Sequence, residues 1–405
     1  MKKILLLLSL CGLLIAQTTL EYKVKYHDPV HAKIMEIRDS KKDTQNMITK
    51  EIRDTITEEQ EYTLFASVEG IEVPTSMDIF DPFFHFPPKH QGLTSSCWAH
   101  TGISFIETEV QRLQDKEIKL SVMQIIYFDY LEKSLNFIET RGENDIRRGS
   151  QIGGVFRLAE SYGLIPEKDF SGNPTSEGYD TGLLHHELQA YLGHIKKNDL
   201  WDKESAMISV RAILDKHLGK IPKTFNYAGK KYTPKSFYHK ILKFNPKKYT
   251  AIQSTLAFPF YDYTEFPFPD NWWHGKEYYN LPIDEFYTAI LKSVKEGYSV
   301  PITGDTSEPG INRYAGIAFI PTADIAVENI DQDAREYRIF NETTGDDHAI
   351  HIVGVVQING VDWFLIKDSS RTAYQSAHPG YYYFRGDYIK LKMLNAIVPS
   401  YLIEK

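Results

Sequence analysis

The stretch His90-Gln-Gly-Leu-Thr-Ser-Ser-Cys-Trp-Ala-His100 holds one of only two cysteines in 405 residues. The other, Cys11, lies in the leader-like first residues, so a mature chain would keep Cys97 alone. One thiol makes neither an internal disulfide nor a thiolate metal cluster, which leaves an inert buried side chain or a nucleophile. A nucleophilic thiol needs a base to take its proton and donors to receive the negative oxygen it creates. Gln91, six positions upstream, is a candidate donor. The candidate bases lie about 250 residues downstream, in Asp347-His348-Ala-Ile-His351, with Asp368 beyond them as a carboxylate able to orient an imidazole.

Local patterns supply the elements that must hold these groups. Pro82, Pro87 and Pro88 exclude helix before Cys97. Ala99, Ile103, Ile106, Val110 and Leu113 recur at helical spacing after it, and Thr94, Ser95 or Ser96 can cap that helix. The sulfur then sits at a helix N-terminus, where unpaired N–H groups and the positive dipole end favour thiolate. His348–Gln357 and Val361–Lys367 read as two strands with Asn359-Gly360 between them. A two-residue turn pairs Ile358 with Val361 and sets His351 opposite Asp368. A three-residue loop pairs Gln357 with Val361 and makes His348 and Asp368 diagonal neighbours on one face.

Gln91, Cys97 and Trp98 resemble the papain-type cysteine peptidases, which carry Gln, a short Gly/Ser-rich segment and Cys-Trp. Asp347-His348-Ala349-Ile350 and Leu365-Ile366-Lys367-Asp368-Ser369 fall on the same family's distant pattern. The resemblance implies that Cys97 is the nucleophile, His348 the base, Asp368 the orienting group in place of the usual Asn, and Gln91 the oxyanion donor. It also implies that Trp98 and the paired Gly153-Gly154 belong to the substrate site, and that no metal or other cofactor takes part. His351 is the fallback base. Three departures stand out. Ser95 replaces a frequent Gly. Ser370-Arg371 stands where the family has Trp-Gly. The leader is unusual for the branch discussed next.

That branch is the bleomycin-hydrolase and aminopeptidase C group, similar to this chain in its "LSVMQIIYFDYLEK" helix and in a long insertion. The expected fold is α+β, a papain-like two-lobed arrangement. It divides into a leader over 1–16, an N-terminal extension over 17–75, a helical lobe over 76–178, an insertion over 179–281 and a β-rich lobe over 282–405. The extension is a pro-like segment, a linker or an arm on the core. Helices are expected over Leu120–Ser134 and Val155–Tyr162. The aromatic stretch "FPFYDYTEFPFPDNWWHG" reads as a packed loop or as a rim for substrate.

Composition narrows the partners. The net charge of −8 is dispersed over both signs, so no basic patch supports nucleic-acid binding. Lys2 and Lys3, the apolar run Ile4–Ile15 and Ala16 read as a secretory signal, too short for a membrane anchor, and predict a secreted or periplasmic protein. The expected partner is a peptide substrate, and a homo-oligomer is compatible with the sequence. The leading expectation is an exported cysteine peptidase, with aminopeptidase action implied by the branch. The rivals are a papain-fold binding protein whose chemistry has decayed and a Cys-His-Asp acyltransferase.

Overall fold

The computed structural model describes residues 20–24, 26–40, 62–174 and 178–403. The signal-like segment 1–16 lies outside them. The apolar spacing after Cys97 produces a helix over Cys97–Gln114 whose buried side chains occupy nearly every face. It is the central rod of the helical lobe. The helices Val122–Glu139 and Ile152–Tyr162 pack against it on one side, and the strand His348–Ile358 on the other. Ser121 caps the second helix, its hydroxyl accepting from Gln124 N–H.

Residues expected as an insertion do not form a separate unit. Helices Gly182–Lys197 and Lys203–Leu218 send Leu184, Leu188, Leu192, Val210, Leu214 and Leu218 into the same core as Trp98, Ile103, Ile125 and Leu131. Three strands from this region, Tyr249–Gln253, Tyr263–Thr264 and Tyr278–Asn280, complete one edge of a ten-stranded sheet. The boundary placed near 281 therefore cuts through the sheet. Short polar-flanked strands of two to five residues carry too little period-2 pattern to be separated from the aromatic loop around them.

The middle of that sheet runs Met393–Pro399, Val300–Gly304, His348–Ile358, Val361–Lys367 and Tyr381–Arg385, all antiparallel neighbours. Parallel pairs occur only toward its two ends among the described residues. Helix Ile283–Lys295 covers the face opposite the helical lobe, with Phe286, Ile290 and Val294 against Ile302, Ile350 and Ile352. The N-terminal extension, where described, is an arm on the core. Leu20–Val24 pairs with Tyr62–Ala66, Ala66 bonds Pro309 and Asn312, and Ile34 of helix Pro29–Ser40 is buried.

The hairpin resolves the question of register. Asn359 and Gly360 have φ of 48° and 84° and form a two-residue turn pairing Ile358 with Val361. That pairing alone would set His351 against Asp368. A bulge between Ile352 and Gly354 then absorbs one residue, so His351 pairs with Lys367. The turn is the two-residue one, while the register at the strand ends is the one the three-residue loop would have given.

Candidate active site

The bulge brings His348 and Asp368 together. His348 Nε2 lies 2.7 Å from Asp368 Oδ1. The other ring nitrogen is left for Cys97, whose side chain interacts with His348 from the start of the central helix. Burial works against charge on this imidazole. The Asp368 carboxylate and the Cys97 sulfur outweigh it and hold His348 well above its ordinary range. Burial likewise opposes charge on Asp368, yet His348 and the Ser370 donors keep it below the usual carboxylate range. Ser370 supplies its backbone N–H to Oδ1 and its hydroxyl to Oδ2, each at 2.8 Å. Asp368 is thus an Asx turn at a strand end as well as the partner of an imidazole.

His351 does not reach this group. It is 1% exposed, bonds Ser104 Oγ at 2.9 Å and lies edge-on to Phe105. Burial, with Lys367 and His85 nearby, pushes it well below its ordinary range. It helps line a small, partly open pocket of about 40 Å³, together with His100, Glu107 and Lys367. That is room for roughly one to three waters.

Gln91 is held by the residue that follows Asp368. Its backbone N–H donates to Ser369 O at 2.8 Å, and its Oε1 accepts from Ser369 Oγ at 2.8 Å. With the amide oxygen so engaged, the NH₂ is the end left to point outward. Gly92 is fixed by close approach. It adopts φ 68°, its N–H donates to His90 Nδ1 at 2.9 Å, and a Cβ there would strike the Tyr179 carbonyl. His90 Nε2 in turn meets Asp28 of the N-terminal arm at 3.2 Å.

None of the three expected caps closes the central helix through its side chain. Ser96 is the N-cap, but its hydroxyl turns to Thr94 and to His100 Nδ1 instead. Ser95 has φ 51° and is exposed. That left-handed backbone suits glycine, which gives a physical reason for the family's frequent Gly here. Ser95→Gly is therefore expected to raise unfolding stability by about 0.5–1 kcal/mol, read by thermal or urea unfolding. An unchanged or lowered midpoint would show that Ser95 carries no backbone strain.

Trp98 and the paired glycines do not present the surfaces that the resemblance implies. Trp98 is 1% exposed and lies in the helical core, so it backs the sulfur and offers no surface to a ligand. Gly153 and Gly154 belong to the first turn of helix Ile152–Tyr162, which begins three residues earlier than expected. They face the aromatic stretch. Atoms of Glu277 and Trp273 lie 3.4 and 3.2 Å from where their Cβ atoms would be. No extended glycine edge remains for a peptide to pair with.

Two tyrosines lie beside Asp368 in a chain that lacks the family's tryptophan there. The buried hydroxyls of Tyr374 and Tyr382 lie close enough to Asp368 to feel its charge, and Asp368 is 4% exposed. Ser369, Ser370 and these tyrosines were not anticipated as parts of the site. Ser369 lies on the family's pattern without a role assigned to it, and Ser370 was visible only as a departure from that pattern. Tyr374 and Tyr382 carry no local signal in a chain with 26 tyrosines.

No family model matches the chain, and no curated protein matches it. Among solved structures it is similar to PepW from Lactobacillus rhamnosis HN001 (DR20), with a TM-score of 0.64 and 20% identity over 82% of this chain and 83% of that one. It also matches a structure bearing on the mite allergens Blo t 1 and Der p 1, with a TM-score of 0.38 and 13% identity over 81% of this chain and 73% of that one. No helix among the described residues is long and apolar enough to cross a membrane. Sharing its fold with PepW across most of both chains, the protein has the papain-like α+β architecture, in which a helical lobe carrying Cys97 meets a largely antiparallel lobe carrying His348 and Asp368.

Proposed function

We propose that the protein is an exported cysteine peptidase that hydrolyses peptide bonds through Cys97, His348 and Asp368. The observation that carries this reading is the chain of contacts from the Cys97 sulfur through the His348 ring to the Asp368 carboxylate. A Cys97 thiolate attacks the peptide carbonyl carbon, and the carbonyl π pair moves to oxygen. Gln91 Nε2 and the Cys97 backbone N–H receive that oxyanion. As the tetrahedral species collapses, the C–N bond breaks and His348 gives its proton to the leaving amine. Water, deprotonated by His348, then attacks the thioester and releases the acid and the thiolate. Asp368 holds the ring in the tautomer and orientation these steps need.

Release of residues from the peptide N-terminus is the finer reading, supported by the likeness to the aminopeptidase C branch. Export is supported by the leader-like segment 1–16. The test pairs labelling with digestion. Iodoacetamide or an epoxide at near-neutral pH is expected to modify Cys97 stoichiometrically, and the unlabelled enzyme to cleave a peptide library read by mass spectrometry. A Cys97 that stays unmodified, with no cleavage, would move the reading to a binding protein of this fold. Amine incorporation without net hydrolysis would move it to an acyltransferase.

A further inference from the structure

Three carboxylates lie against the segment Gly149–Gly153, which enters helix Ile152–Tyr162, and the mechanism uses none of them. Asp270 arrives from the aromatic stretch, and Glu277 from the residues just before strand Tyr278–Asn280. Asp346 arrives from the segment leading into His348. Asp270 packs on Gly149, and Glu277 Oε1 lies 3.4 Å from the Cβ position of Gly153. Asp346 accepts from the Gln151 side chain and from Thr303, both neutral. The charges around it are the carboxylates Asp270 and Asp347, and no cation among the described residues pairs with it. Burial first, and Asp270 second, push its carboxyl up to about 8. A partly buried acid of this kind lacks a positive partner.

Two further atoms in the same place call for a hydrogen-bonding partner. The Tyr278 hydroxyl lies 4.0 Å from the Cβ position of Gly153, and Ser150 Oγ lies 3.3 Å from that of Gly154. The two residues are 2% and 3% exposed, and neither oxygen has a hydrogen-bond partner. Buried hydroxyls are normally paired, because an unpaired one costs about 1–3 kcal/mol. The charges nearest Tyr278 are Glu277 and Asp346, so it forms the floor of the same cluster. Among the described residues no three His, Cys, Asp or Glu side chains are close enough to share a metal ion. Carboxylates set beside unpaired hydroxyls suit a cation with several N–H donors.

Position says which cation. Asp346 is two residues before His348, so their Cα atoms lie within about 7 Å. In a bound peptide the amine of the residue whose carbonyl is attacked lies about 2.5 Å from the reacting carbon, and the next amine upstream about 6 Å. We propose that Asp346, with Glu277 and the Tyr278 hydroxyl, holds the free α-ammonium of the peptide, so that cleavage takes place one or two residues from an unblocked N-terminus. This rests on the peptidase reading and assigns to it the residues that set its direction. Trp273 packs against Gly154 and points its indole N–H at Glu277 Oε1, 3.4 Å away.

The test compares three fluorogenic substrates: leucyl with a free amine, N-acetyl-leucyl and N-acetyl-lysyl. The wild-type enzyme is expected to prefer the free amine over N-acetyl-leucyl by about 30-fold or more in kcat/KM. Asp346→Asn should cut that ratio by about tenfold, mainly through KM, and Glu277→Gln should cut it less. Iodoacetamide labelling of Cys97 in both variants reports an intact site. If Asp346→Asn fails to fold, Glu277→Gln carries the comparison. Equal cleavage of free and acetylated leucyl substrates, or an unchanged ratio in the variants, overturns the assignment alone. Preferential cleavage of N-acetyl-lysyl overturns it by showing a side-chain site. A wild-type enzyme that cleaves none of the three removes the peptidase reading and this assignment with it.

Discussion

Replacing Cys97 by alanine is expected to lower peptide hydrolysis by at least about 10⁴-fold, to the level of the uncatalysed background in the assay. Alanine has no atom that can form the thioester, so no part of the proposed two-step route survives. The fold should survive, because the side chain is small and only partly buried, and its removal leaves the packing of Trp98 and Ala99 behind it unchanged. Thermal unfolding within about 1 kcal/mol of wild type would establish that the loss is chemical. His348→Ala should fall nearly as far, since the sulfur then loses its proton acceptor and the leaving amine its proton donor. The double variant should fall no further than either single one. Groups that act as one unit fail together, whereas independent contributions would multiply. A Cys97→Ala enzyme as fast as wild type would end the proposal.

How much of this was legible in the sequence depends on how local each signal is. The helix after Cys97, the strand Val361–Lys367 and the turn at Asn359-Gly360 follow from periodicity and turn chemistry within ten to twenty residues. Cys97, His348, Asp368 and Gln91 were nameable from residue type and family pattern, and the structure gathers them at the junction of the lobes. The bulge between Ile352 and Gly354 was not legible. Gly354 interrupts a run of β-branched residues there, but a strand glycine alone does not say that a residue is absorbed, and the cause is tertiary, since Gly354 packs directly on Phe80 and Pro82. The place of Trp98 was not legible either. The family pattern marks the residue without saying which way it points, and the helical period puts it inward. The hidden sheet strands at Tyr249–Gln253 and Tyr278–Asn280 escaped because three- to five-residue strands are defined by their partners more than by their own sequence.

Asp368 offers the second large effect, and its two substitutions should separate geometry from charge. Asp368→Ala removes the acceptor at 2.7 Å from His348 Nε2 and leaves a buried N–H unpaired. A fall of about 10²-fold or more in kcat/KM is expected, because the ring loses both its orientation and the stabilisation of its protonated form. Asp368→Asn keeps an acceptor of the same shape and restores the residue usual in the resembled family, but carries no charge. The sign of its effect on the pH profile follows from the groups around His348. In the wild type, burial lowers the affinity of this imidazole for its proton, while Asp368 and Cys97 raise it and prevail. Asn removes the carboxylate contribution and leaves burial in place, so the proton is lost at lower pH. The ion pair between Cys97 and His348 is competent only while the ring is protonated, so the alkaline limb of kcat/KM should move toward neutrality. A move of one pH unit corresponds to about 1.4 kcal/mol of lost charge stabilisation. The rate of iodoacetamide labelling of Cys97, followed against pH, should show the same displacement without any need for turnover. An alkaline limb that stays in place in Asp368→Asn, with activity unchanged, would mean that the carboxylate serves only to close the turn through Ser370.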